Sequence, residues 1–193
     1  MNIFGNKVML RAVEPKDLPY MLEMINDPEM ERMVGGWSFP TAEKQQNDWY
    51  NRVINDSNTL RFAIVYDDKF VGISTLGEFD WKNRTAFHGI KLHSSAPKGI
   101  GIGTDAVYAT MKYAFEELNL HRLEGKILDY NVPSKKLYEK CGWKFEGCYR
   151  QRVFKGNAYH DELPNSILRD EYFEWKKKVM GGGYVVVYQA VAC

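Results

Sequence analysis

The stretch "SAPKGIGIGTDAVYATMKYAF", residues 95–115, sets three glycines at alternate positions directly before an amphipathic run. Glycine inside regular structure costs about 0.5–1 kcal/mol. Gly99, Gly101 and Gly103 therefore mark a loop whose backbone must approach something closely. Val107, Met111, Ala114, Phe115 and Leu118 follow at i, i+4, i+7, i+8 and i+11, which is one face of a helix. A glycine loop thus feeds a helix N-terminus. Unpaired N–H groups and the positive end of the dipole there favour an anion, typically phosphate.

Upstream, "RFAIVY" (61–66) and "KFVGISTLGEF" (69–79) read as strands joined by a tight turn at Asp67-Asp68. "DWKNR" (80–84) makes a second turn, and "TAFHGIKLH" (85–93) a third strand, so the three form an antiparallel meander. Before them, Val8 and Leu10 open a short strand. Leu18, Met21, Leu22 and Ile25 share a helical face that Asn26-Asp27-Pro28 stops. Another helix starts near Thr41, with Trp49 and Val53 inward. Downstream, "HRLEGKIL" (121–128) is a strand, and "NVPSKKLYEKCG" (131–142) a short helix between Pro133 and Gly142. "WKFEGCYRQRVF" (143–154) and "DELPNSIL" (161–168) form a hairpin across Lys155-Gly156-Asn157. The order is β-α-α-β-β-β-α-β-α-β-β. This is an α/β fold with a mixed, mostly antiparallel central sheet and flanking helices. Residues 1–178 read as one domain. The tail, 179–193, is glycine-rich and then apolar; it reads as an extra edge strand, a homodimer contact or residue of an expression vector.

The chain has 193 residues, 45% apolar and 26% charged, with a formal net charge of +1. That is globular composition, and the charge balance argues against a nucleic-acid partner. No apolar run approaches membrane-spanning length and the start carries no secretory h-region, so no membrane partner and a cytoplasmic location are expected. Three cysteines without a CxxC, and four scattered histidines, signal neither a disulfide framework nor a metal site.

A glycine loop before a helix has three readings. A P-loop needs GxxxxGK[ST], but Thr104-Asp105 follow Gly103. A dinucleotide fingerprint needs GxGxxG in a βαβ unit, whereas this spacing differs and the preceding strands are antiparallel. The third is R/Q-x-x-G-x-G/A, the pyrophosphate loop of the GNAT acetyltransferases, which Lys98-Gly99-Ile100-Gly101-Ile102-Gly103 resembles, with Lys for Arg or Gln. The phrases "FEELNLHRL" (115–123), "NVPSKKLYEKCG" (131–142) and "GNAYHD" (156–161) stand in the family's order and spacing. Residues 8–175 thus resemble the RimJ/RimL-type branch of GNAT, and the C-terminal hairpin also resembles that of spermidine acetyltransferases.

The resemblance implies a GNAT-like acyl-CoA N-acyltransferase fold and an acetyl-CoA-dependent N-acetyltransferase. Coenzyme A carries a pyrophosphate, which the N–H groups from Gly99 to Thr104 could cradle, with Lys98 adding charge. The strand end Ile90-Lys91-Leu92-His93 would bind the pantetheine arm through its main chain. Its neighbour, Leu123 to Leu128, would diverge from it and leave a wedge. Asn131 and Ser134 match cofactor-touching positions, although Asn131 equally suits a helix cap.

The reaction implied is attack of a neutral amine on a thioester. An alkylamine has a pKa near 10.4, so the site must remove a proton, directly or through water. A main-chain N–H on the Ile90–His93 strand would hold the oxyanion. Tyr138 matches the tyrosine that protonates the leaving thiolate; Glu78 and Glu31 are candidates for the base. The stretch 26–40 mixes Glu29 and Glu31 with Met33, Trp37 and Phe39, which suits a small cationic amine, a polyamine or an amino sugar. Peptide N-termini, and a non-catalytic acyl-CoA-binding module, stand as alternatives.

Overall fold

The structure is a computed structural model that describes residues 1–36 and 39–180. Trp37 and the segment 181–193, with the readings attached to both, lie outside the described residues. The elements run β1 (Ile3–Phe4), β2 (Met9–Ala12), α1 (Leu18–Asn26), α2 (Pro28–Met33), α3 (Glu43–Val53), β3 (Thr59–Tyr66), β4 (Lys69–Asp80) and β5 (Thr85–Leu92). Then come α4 (Ile102–Lys112), a π-helical turn (Tyr113–Glu117), β6 (Arg122–Leu128), α5 (Val132–Lys140), β7 (Lys144–Phe145), β8 (Tyr149–Lys155), β9 (Ala158–Leu168) and α6 (Arg169–Met180).

Among the described residues nine strands form one sheet in the order β1-β2-β3-β4-β5-β6-β9-β7, with β8 also on β9. Every pairing is antiparallel except β5 with β6. Asp67 and Asp68, then Gly156 and Asn157, take positive φ in the two tightest hairpins, as two-residue turns that match strand twist require.

Helices cover both faces. Leu18, Met21 and Met24 of α1 pack with Ala63 and Phe70 on one face, with Trp49 of α3 alongside. On the other, α4 buries Val107 and Met111 completely, with Ala114 and Phe115 of the π turn, against Leu76, Leu123, Ile127 and Ile167. Burying each such large side chain contributes about 1.5–3 kcal/mol. Ile102, Ala106 and Ala109 are buried too, so α4 is a core helix rather than a half-buried one.

Four features were not in the sequence reading: β1, α2, α6, and the break that splits residues 143–154 into β7 and β8. At Asn26-Asp27-Pro28 α1 ends as expected. There the Asp27 side chain accepts from Glu29 N–H at 2.9 Å and Pro28 fills the first turn, so the same residues also start α2.

Candidate active site

Strands β5 and β6 pair at three positions only, Thr85 with Arg122, Ala86 with Leu123 and Phe87 with Glu124, and then separate. A cleft of about 400 Å³ opens where they part, walled by Gly89, Ile90, Lys91, Lys126, Ile127 and Tyr138 among others. The antiparallel ladder on the other side of β5 decides which main-chain groups face this gap. The N–H of His93 donates to the Val71 carbonyl at 2.9 Å, and the register keeps Lys91 opposite Ile73. Alternation along an antiparallel pair then turns Lys91 and His93 towards β4, and Ile90 and Leu92 towards the gap. The expectation for the whole run from Ile90 to His93 narrows accordingly to Ile90 and Leu92. The ring of His93 is also engaged, with Glu23 at 2.9 Å and Ser95 at 2.7 Å.

The glycine loop leads into α4 as expected, and its three glycines do different things. Gly99 and Gly101 have φ of +79° and +88°, and a Cβ on either would meet nothing within 4 Å. Gly101 is the N-cap of α4 and brings no side chain to it, so the N–H groups of Ile102, Gly103 and Thr104 lack side-chain capping. A Cβ at Gly103 would instead point inward, 3.4 Å from Leu92 and 3.5 Å from Leu137. Lys98 and Ile100 are exposed. The loop is braced from behind. The Asp105 carboxylate accepts from the N–H groups of Asn6, Lys7 and Val8 at 2.7–2.9 Å, and Lys7 Nζ donates to the Ile100 carbonyl at 2.6 Å. The open space above Gly99 and Gly101, the free N–H groups of the first turn and the gap beside Ile90 fit an elongated ligand with a pyrophosphate.

Tyr138 lines the cleft and is buried, with its hydroxyl 2.9 Å from His88 Nδ1. The proton positions follow from the chain of contacts behind it. Thr110 Oγ1 donates to the Ala106 carbonyl at 2.9 Å, so Ser74 Oγ, 2.8 Å away, donates to Thr110. Ser74 therefore accepts from His88 Nε2 at 3.3 Å, which leaves Nδ1 as an acceptor and makes Tyr138 the donor. Burial lowers the His88 pKa to about 3, so this imidazole is neutral, and burial raises that of Tyr138. Nothing in the sequence pattern singled out His88, one of four scattered histidines.

The two acidic candidates diverge. Glu78 lines the cleft, exposed, at a β-bulge between Gly77 and Asp80 with φ of +50°. Positive φ in a non-glycine residue is strained, and such strain collects at functional positions. Glu31 forms an ion pair with buried Lys155 instead, and it walls a neighbouring surface pocket rather than the cleft. Lys155 also donates to the Glu31 carbonyl at 2.8 Å, Tyr130 to that of Arg32, and Asn131 Nδ2 to that of Met33 at 2.7 Å. Three donors thus hold the last turn of α2 across the cleft. Asn131 Oδ1 meanwhile accepts from Ser134 N–H at 3.1 Å, so its amide serves as the α5 cap and as a tether. Ser134 stays on the cleft wall. Lys155 had been read only as a turn residue, and its partner is 124 positions away.

Residues 7–144 match the family model for the acetyltransferase (GNAT) domain. The probable N-acetyltransferase YjcK of Bacillus subtilis is 35% identical, with 86% of this chain and 97% of that protein covered. A spermidine N(1)-acetyltransferase of Vibrio cholerae is 26% identical over 87% of this chain and 96% of its own length. The crystal structure of a spermidine N-acetyltransferase from Vibrio cholerae in complex with CoA and spermine superposes with a TM-score of 0.81, at 24% identity, over 86% of this chain and 98% of that one. No helix among the described residues is long and apolar enough to cross a membrane.

Proposed function

The chain belongs to the GNAT acetyltransferases, and from that premise we propose that it moves an acetyl group from acetyl-CoA to a small primary amine. The observation that carries this reading is the parting of β5 from β6 beside a buried tyrosine, with an uncapped glycine-led helix N-terminus at the other end. Acetyl-CoA supplies the thioester. Gly99, Gly101 and the first turn of α4 hold its pyrophosphate, and the main chain of Ile90 and Leu92 holds its pantetheine amides.

The amine nitrogen forms the new bond to the acetyl carbon as the carbon–sulfur bond breaks. Charge develops on the acetyl oxygen, and the N–H of Ile90 or Leu92 is the donor for it. Tyr138 gives its hydroxyl proton to the departing sulfur, turning away from His88 to do so. The amine must shed its own proton, and Glu78, on the cleft wall, accepts it directly or through water. Glu31, held by Lys155, anchors the end of α2 instead.

A small primary amine is the acceptor class put forward, with a polyamine and an amino sugar as the two candidates that the acid and aromatic residues of stretch 26–40 raise. A relative named as a putative ribosomal N-acetyltransferase, YdaF of Bacillus subtilis, at 28% identity, keeps a peptide N-terminus as the second reading. The test is free-thiol release from acetyl-CoA with polyamines, amino sugars, amino acids and N-terminal peptides. Turnover of one small-amine class above the peptides supports the proposal. Thiol release no faster than buffer with every acceptor overturns it.

A further inference from the structure

Resting on that reading, we infer that the acceptor carries an anionic group, a carboxylate or a phosphate, received in a chamber between α1 and α3. This chamber, about 460 Å³, adjoins the reaction cleft, with Ile73 and Lys91 forming part of both walls. Lys91 of β5 faces it, whereas His88 faces Tyr138 on the other side of the sheet.

The charged and polar groups of the chamber decide the chemistry. Among the described residues its wall holds two cations, Lys91 and Arg52, and no carboxylate. Neither cation has an ion-pair partner among the described residues. Gln46 stands with them, 5% exposed, its amide without a hydrogen bond among the described residues. Its polar atoms open onto the chamber, where a ligand can take up their hydrogen bonds. Burial and the charge of Lys155 both lower the Lys91 pKa, and an anion beside the ammonium would relieve both. Met24 and Trp49 give the chamber an apolar side that suits the spacer between amine and anion.

A polycation finds the reverse of what it needs. Glu31 is neutralised by Lys155, and Glu162 by Arg152 at 2.9 Å. Glu78 alone among the cleft's carboxylates lacks an ion pair within the described residues, enough for one ammonium. An amine at Glu78 and an anion at Lys91, Arg52 and Gln46 satisfy all four groups at once.

Matched acceptors test this. The pairs are tyrosine with tyramine for a carboxylate, and glucosamine 6-phosphate with glucosamine for a phosphate; spermidine is the polycation. The wild-type protein should prefer the anionic member of at least one pair by about tenfold or more in kcat/KM, carried mainly by KM. Which pair shows the preference names the anion. Lys91→Met should bring the ratio within about threefold of unity, since a single charged hydrogen bond accounts for that much. Arg52→Ala, at an exposed position that folding tolerates, should lower the same ratio independently. Turnover of spermidine or the uncharged-tail amines at equal or higher efficiency overturns the inference while leaving acetyl transfer standing. So does an anion preference that both variants retain. Thiol release with no acceptor at all overturns the inference together with the reading beneath it.

Discussion

The hydroxyl proton of Tyr138 has one acceptor in the structure, His88 Nδ1, and would need a second, the departing sulfur, during turnover. Tyr138→Phe removes the proton and keeps the ring against Trp143, 4.7 Å away. Loss of a positioned acid costs about 10²–10⁴-fold in rate. That is roughly 2.7–5.4 kcal/mol of transition-state stabilisation. We expect kcat at saturating substrate to fall by that much while CoA affinity, measured by calorimetry, changes a few-fold at most. The variant also strands Nδ1 of His88, which should cost about 1–3 kcal/mol of stability, so rates must be compared well below its melting point. A kcat within a few-fold of the parent would pass the proton transfer to water and leave Tyr138 a core aromatic.

At the scale of one loop and helix, the three glycines make separable predictions. Gly101→Ala places a Cβ in open space at a φ that L residues resist, at the position where an anion would approach. CoA affinity should drop about tenfold or more, the value of one charged hydrogen bond lost. Gly103→Ala meets Leu92 and Leu137 at ordinary contact distance and should leave affinity nearly unchanged. Equal losses in both would refute this division of roles. The sequence could mark the loop but not divide it, because spacing reports where backbone freedom is available, not which side is open. The same limit explains the other misses. The meander, both diaspartate and Gly-Asn turns and the face of α4 were legible because turn chemistry and period are local. A two-residue β1 and a six-residue α2 are too short to show a period. The Glu31–Lys155 and Tyr138–His88 pairs exist only after the sheet has assembled.

For the molecule as a whole, His88 ties stability to pH. Its folded pKa of about 3 lies below the ordinary histidine value of 6.5. Between those limits the unfolded chain binds a proton that the native state refuses, so stability falls as pH drops below 6.5. At pH 5 the loss is about 2 kcal/mol relative to neutral pH. Urea midpoints taken from pH 7 to pH 5 should fall for the parent. For His88→Phe they should be lower at pH 7, with the Tyr138 hydroxyl left without its acceptor and Ser74 with Thr110 alone, but flatter across the range. Parallel curves would show that the imidazole protonates in place. Carboxylates such as Glu146, whose pKa is lowered chiefly by its bond to Arg122, add their own loss only as pH falls below about 4.5. The three-rung contact between β5 and β6 reaches further still. It makes the sheet two panels, zipped at one end and bridged at the other by side chains that grip α2. A molecule threaded into the split would complete hydrogen bonds that a fourth rung and those after it would otherwise make. The substrate then becomes a keystone: the bare chain breathes first along this line, and the enzyme is most nearly a single solid body while it is at work.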